Sequence, residues 1–72
     1  MDKKSALVRI GANIRKIREE KCISQQDLAA VCNFEKSNMS RIEAGRTNLT
    51  VGTLLKICEA LNVKLADVVD LA

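Results

Sequence analysis

The chain of 72 residues contains no histidine, proline, tryptophan or tyrosine, and a single phenylalanine. Each absence closes a route. Histidine is the side chain most used for acid–base work near neutral pH and the commonest nitrogen ligand of metals. The lack of proline, with only 3 glycines, argues against a turn-rich β architecture and for helices. One aromatic residue means that any core is built from Leu, Ile, Val and Ala. No apolar run approaches the roughly 20 residues of a membrane span, and no signal-peptide pattern is present. The expected location is therefore the cytoplasm, with no membrane partner. Cys22, Cys32 and Cys58 are odd in number, widely spaced and contain no C-x-x-C pair. They are read as small apolar residues in a reducing compartment, not as a zinc site. Nothing pairs a nucleophile with a base, so no catalytic residues, metal or cofactor are expected, and the protein is not read as an enzyme.

What is present is charge, unevenly placed. Residues 1–58 carry 11 Lys and Arg against 6 Asp and Glu, and residues 59–72 carry 1 against 3, giving a basic body (+5) and an acidic tail (−2). Such a body suits a polyanion partner. The length allows one domain, residues 1–72, burying about 60–65% of its unfolded surface.

The apolar periodicity resolves into five helical segments. Leu7, Ile10, Ile14 and Ile17 repeat at helical spacing, with Arg9, Arg15, Lys16 and Glu19 opposite. Ser5 is a plausible N-cap, and the helix should run to about Lys21. Ser24, followed three residues later by Asp27, resembles a capping box and opens a second helix over Gln25–Cys32. Leu28, Val31 and Cys32 would be its buried side, with Ala29 and Ala30 small enough for close packing. Asn33 suits the left-handed conformation that ends a helix, Phe34 fills the corner, and a third helix runs from Lys36 to Ala44 with Gly45 as terminator. Thr50 caps a fourth helix with Val51, Leu54, Leu55, Cys58 and Leu61 as apolar positions, and Asn62 ends it. Leu65, Val68, Val69 and Leu71 make a short fifth helix.

The second and third helices are joined by Asn33-Phe34-Glu35, a tight turn between two short helices. The third offers a core only Met39 and Ile42; its remaining side chains are polar. Three stretches then become specific: Ile23-Ser24-Gln25-Gln26-Asp27-Leu28-Ala29, Ser40-Arg41-Ile42-Glu43-x-Gly45, and Thr53-Leu54-Leu55-Lys56-Ile57-Cys58-x-Ala60-Leu61-Asn62-Val63. Together they resemble the phage-repressor-like (Xre, Cro/C1-type) helix-turn-helix DNA-binding family over roughly residues 7–70. The resemblance implies an all-α, compact five-helix bundle of the lambda-repressor-like type. Its helix-turn-helix would lie at about 24–44 and a C-terminal dimerisation helix at about 64–71.

The implied function is sequence-specific transcriptional regulation, as repressor or autoregulator, by a homodimer on a palindromic operator. Carried over position by position, Glu35, Lys36, Ser37 and Arg41 would contact bases in the major groove of double-stranded DNA. Ser24, Gln25, Asn38, Arg46 and Asn48 would contact phosphates, Gln25 at a helix N-terminus that attracts anions. Ala29, Phe34, Met39, Ile42 and Leu54 would be structural, and Arg18 with Glu43 would form a partly buried salt bridge tying the first helix to the end of the third. Leu61, Leu65, Val68, Val69 and Leu71 would form the dimer interface. The family usually has Ser or Thr where Glu35 stands, glycine at Cys22 and Asn33, and proline at Leu49; Cys22 and Leu49 imply altered loop geometry. The alternative is a protein-interaction module or antitoxin whose partner is a toxin or co-regulator. The outward face of the third helix, with Lys36, Ser37, Asn38 and Arg41 and no large apolar anchor, favours DNA.

Overall fold

The structure, a computed structural model, describes residues 1–71. It has five α-helices and, among the described residues, no strand: α1 (Lys3–Glu20), α2 (Gln25–Cys32), α3 (Lys36–Glu43), α4 (Val51–Leu61) and α5 (Leu65–Val68). α2 packs on α3 and α4, α1 on α3 and α5, and α4 on α5. The core is aliphatic, as the composition requires: Ile14, Leu28, Met39, Ile42, Ile57, Leu61 and Val68 are its fully buried large side chains.

The helix ends follow from local chemistry. Ser24 Oγ accepts from Asp27 N–H at 3.0 Å and Thr50 Oγ1 from Thr53 N–H at 3.1 Å, each filling an otherwise vacant first-turn donor. α1 starts earlier than its spacing implied. Its cap is Asp2, whose carboxylate accepts from Ser5 N–H at 2.8 Å, so Ser5 lies inside the helix. Asn33 and Asn62 end α2 and α4 at φ 59° and 57°, in the left-handed region that asparagine tolerates. Cys22 also sits there, at φ 58°. The loop thus keeps the glycine-like geometry that a cysteine was expected to disturb, at a cost of about 1 kcal/mol. Its thiol is exposed, so only Cys32 and Cys58 are core residues, and burial pushes both of those thiols up.

Several side chains depart from the periodicity reading. Val31 is 69% exposed, and Ala30 is exposed too. With Leu28, Ala29 and Cys32 inward, a 100° step per residue turns both outward. On α4 the inward stripe is Leu54, Ile57, Cys58 and Leu61, while Val51 and Leu55 stay exposed. α5 is a single turn that ends at Val68; Val69 is its C-cap and Leu71 lies beyond it. So short a helix needs outside help. Asn13 supplies it, its Nδ2 donating to the Val68 carbonyl at 2.9 Å and the Asp70 carbonyl at 2.8 Å.

The placement of α3 depends on α1. Gly11 is buried where a Cβ would stand 2.5 Å from the Ile42 carbonyl oxygen and 2.6 Å from that of Glu43. Gly45, at φ 73°, makes the reciprocal approach: its Cβ would lie 2.6 Å from Val8 Cα. Farther along α1, Arg18 forks onto Glu43, Nε to Oε2 at 2.7 Å and Nη2 to Oε1 at 3.1 Å. Its Nη1 donates to the Ile23 carbonyl at 2.8 Å, and Gln25 Nε2 donates to Glu43 Oε1 at 3.1 Å. Both charged residues are 8% exposed. Hydrogen bonding to Glu43 holds the guanidinium above its ordinary range, against the opposing pull of burial. Phe34 plugs the α2–α3 turn, with Lys56 Nζ of α4 5.4 Å from its ring centre.

Two outcomes follow. Alanine is the better helix former by about 1 kcal/mol, yet Gly11→Ala should destabilise the domain by about 2 kcal/mol. In a thermal melt this appears as a fall in Tm of about 10 °C; a raised Tm means that α1 and α3 are not in this contact. Glu43→Ala should cost about 3 kcal/mol or more in a urea titration, because it strands a buried guanidinium, whereas the pair Arg18→Met with Glu43→Leu should recover much of that loss.

Candidate nucleic-acid interface

α3 has eight residues and a sharp division of labour. Met39, Ile42 and Glu43 face inward, which at 100° per residue turns Ser37, Ser40 and Arg41 outward, with Lys36 at the edge. Glu35, Lys36, Ser37 and Arg41 are all exposed, and Asn38 is half-buried. Ser40, exposed on the same face, had not been singled out; its spacing of three from Ser37 and four from Lys36 was the available signal. No aromatic or large aliphatic side chain belongs to that face.

Glu35 occupies the N-cap position of α3, with extended backbone at φ −70° and ψ 147°, but its side chain makes no capping hydrogen bond. The caps of α1, α2 and α4 do make one. A glutamate here forgoes about 1 kcal/mol that serine would supply, while its charge still suits the positive end of the helix dipole.

Two grooves gather the remaining predicted residues. Ser24, Gln25 and Lys36 line one, together with Arg15, Arg18 and Gln26. This brings the start of α2 and the start of α3 to a common edge. Arg15 and Gln26 were missed by sequence reasoning, since a cation on an amphipathic helix carries no positional signature. Arg46 and Asn48 line the second groove, between the α3–α4 loop and the first turns of α1, together with Lys3 and Lys4.

Gln25 opens α2; one N–H of its Nε2 donates to Glu43 Oε1 at 3.1 Å, while its side chain lines the first groove beside the first turn of α2. In that turn Ser24 caps the Asp27 N–H.

The presumed dimer residues divide in two. Leu61 and Val68 are 1% and 0% exposed and are spent on the monomer's own core. Leu65 and Val69 are half-buried against it, and Leu71 is exposed.

The chain has relatives both in sequence and in fold. The profile of the Cro/C1-type HTH DNA-binding domain matches residues 13–72. The uncharacterized HTH-type transcriptional regulator y4dJ of Sinorhizobium fredii is 35% identical over 60 residues, 83% of this chain and 78% of that protein. Control protein C.BamHI of Bacillus amyloliquefaciens is 36% identical over 61 residues, 83% of this chain and 75% of its own length. The crystal structure of the restriction-modification controller protein C.AhdI from Aeromonas hydrophila superposes with a TM-score of 0.82 at 29% identity, over 86% of this chain and 94% of that one. An all-α five-helix fold, a helix-turn-helix with a polar outward face and a matching profile over most of its length place this chain in the Cro/C1-type helix-turn-helix DNA-binding domain family.

Proposed function

We propose that the protein is a sequence-specific transcriptional regulator of the restriction–modification controller kind, acting as a homodimer on a palindromic operator. The observation that carries this reading is the outward face of α3. Glu35, Lys36, Ser37 and Arg41 are exposed together at the start and along one side of a short helix whose other side is buried. A recognition helix presents its N-terminal residues to base edges in the major groove. Arg41 and Lys36 fit guanine O6 and N7, and Glu35 fits the amino group of cytosine. The uncapped state of Glu35 supports a reading role: its carboxylate is not consumed by the helix end. Ser24 and Gln25 with the N–H groups of the first turn of α2, and Asn38, Arg46 and Asn48, supply phosphate contacts that fix register. The controller kind is favoured by similarity to C.BamHI and C.AhdI, a control protein and a restriction-modification controller protein.

Two copies are needed for selectivity, because one mismatched base pair costs only about 1–3 kcal/mol and a single eight-residue helix reads few bases. The domain measures 31 × 22 × 20 Å, comparable to the roughly 34 Å that separates successive major-groove faces. Apolar surface left over from the core near the C-terminal helix includes Leu71 with half-buried Leu65 and Val69, and, on α4, Val51 and Leu55 one turn apart. These replace Leu61 and Val68 as the proposed dimer contacts.

Selection from random duplex DNA by the purified protein should enrich a palindrome. Glu35→Ala should relax the preference at one position of each half-site while raising affinity for unrelated duplex; an unchanged selected sequence would reduce Glu35 to a helix-end residue. Leu71→Asp should shift sedimentation at micromolar concentration from dimer to monomer and weaken operator binding, and a variant that stays dimeric moves the interface elsewhere.

A further inference from the structure

We propose that Lys3 and Lys4 of α1, with Arg46, form a phosphate-binding site for the DNA backbone outside the bases that α3 reads. The inference rests on the DNA-binding reading and extends it to a helix outside the helix-turn-helix. The groove is lined by Lys3, Lys4, Leu7, Arg46, Thr47 and Asn48 around Gly45. Three cations line it and no carboxylate does. That +3 equals the net charge of the whole chain.

Some cations elsewhere have acidic partners or neighbours, whereas Lys36 and Arg41 of α3, like the cations of this groove, form no ion pair among the described residues. Arg15 pairs with Glu19 at 3.4 Å, and Arg18 with Glu43 at 2.7 Å. Lys16 and Lys21 share the α1–α5 groove with Glu20, Asp67 and Asp70. Among the described residues, none of Lys3, Lys4 and Arg46 forms an ion pair. The acid nearest in sequence, Asp2, is turned onto Ser5 N–H as the cap of α1. Gathering like charges without a counter-ion is electrostatically unfavourable, and a phosphate relieves it.

The groove is also built rigidly at the right end of α3. Gly45 brings its backbone within van der Waals contact of Val8 in α1, an approach that no side chain could share. Arg46 N–H donates to the Arg41 carbonyl at 2.9 Å, so the loop carrying Arg46 is bonded to the helix that carries the proposed base reader. The first turn of α1, which carries Lys3 and Lys4, and the loop that carries Arg46 thus line one groove beside the end of α3.

The test is the salt dependence of binding to a mixed-sequence duplex. Each neutralised phosphate contributes a slope of about 0.9 in log affinity against log salt. The double variant Lys3→Ala/Lys4→Ala should lower the slope by about 1.8, so its affinity deficit relative to wild type should shrink about tenfold between about 50 and 200 mM salt. The loss should be equal for operator and unrelated duplex, with Tm unchanged, and Lys3→Arg/Lys4→Arg should restore the slope. Lys16→Ala/Lys21→Ala removes the same charge from another groove and should leave the slope intact. If the two alanine pairs lower it equally, overall charge is responsible and the site is disproved. An unchanged slope in Lys3→Ala/Lys4→Ala removes this site alone, whereas a wild-type protein with no affinity for any duplex removes the DNA-binding reading with it.

Discussion

The buried pair of Arg18 and Glu43 is the constraint on which the proposed surface depends. A helix of eight residues with two inward apolar side chains is far too short to be stable alone. It must be held from outside, and the hold has to leave its outer face free. Arg18 and Glu43 meet this need at the C-terminal end of α3, below the surface, where the pair also joins the Ile23 carbonyl and Gln25. One network therefore ties α1, the α1–α2 loop, the start of α2 and the end of α3. An ion pair so buried contributes little net stability against an apolar pair of equal volume; its contribution is directional. A guanidinium fork accepts a carboxylate in one plane and at one distance, so it fixes rotation and position where greasy packing would allow sliding.

Backbone contact supplies what the pair cannot. Gly11 lets α1 lie against the last carbonyls of α3, and Gly45 lets the following turn lie against α1. With its C-terminal end fixed by α1 and its inner side by Met39 and Ile42, α3 can keep polar, exposed side chains at its start without losing its place. The absent cap at Glu35 is tolerable for the same reason. Local stability at that end is given up, and the domain as a whole supplies it from the other.

Much of this was legible in the sequence, and the reasons are physical. Caps and terminators act within four residues, so Ser24, Thr50, Asn33, Asn62 and Gly45 marked helix ends correctly. The Arg18–Glu43 pair came from family resemblance, since no local rule links residues 25 apart. Apolar character alone does not settle burial: Val31, expected on the inner side of α2, is exposed, whereas Leu61 and Val68, expected at an interface, are buried in the monomer's own core. Gly11 and Asn13 carry no signal along α1 that sets them apart from other helical positions. Their roles are tertiary, a missing Cβ opposite a carbonyl and an amide reaching the chain 55 residues away, and no pattern along one helix encodes them.

The central claim is that the polar face of α3 is the DNA-reading surface, flanked by the start of α2 and the α3–α4 loop. It is tested most directly by following backbone amide chemical shifts while duplex DNA carrying the selected site is added. The account predicts the largest changes at residues 24–27, 35–41 and 46–48. Changes concentrated on α4 and residues 65–71, with residues 35–41 unmoved, would contradict it.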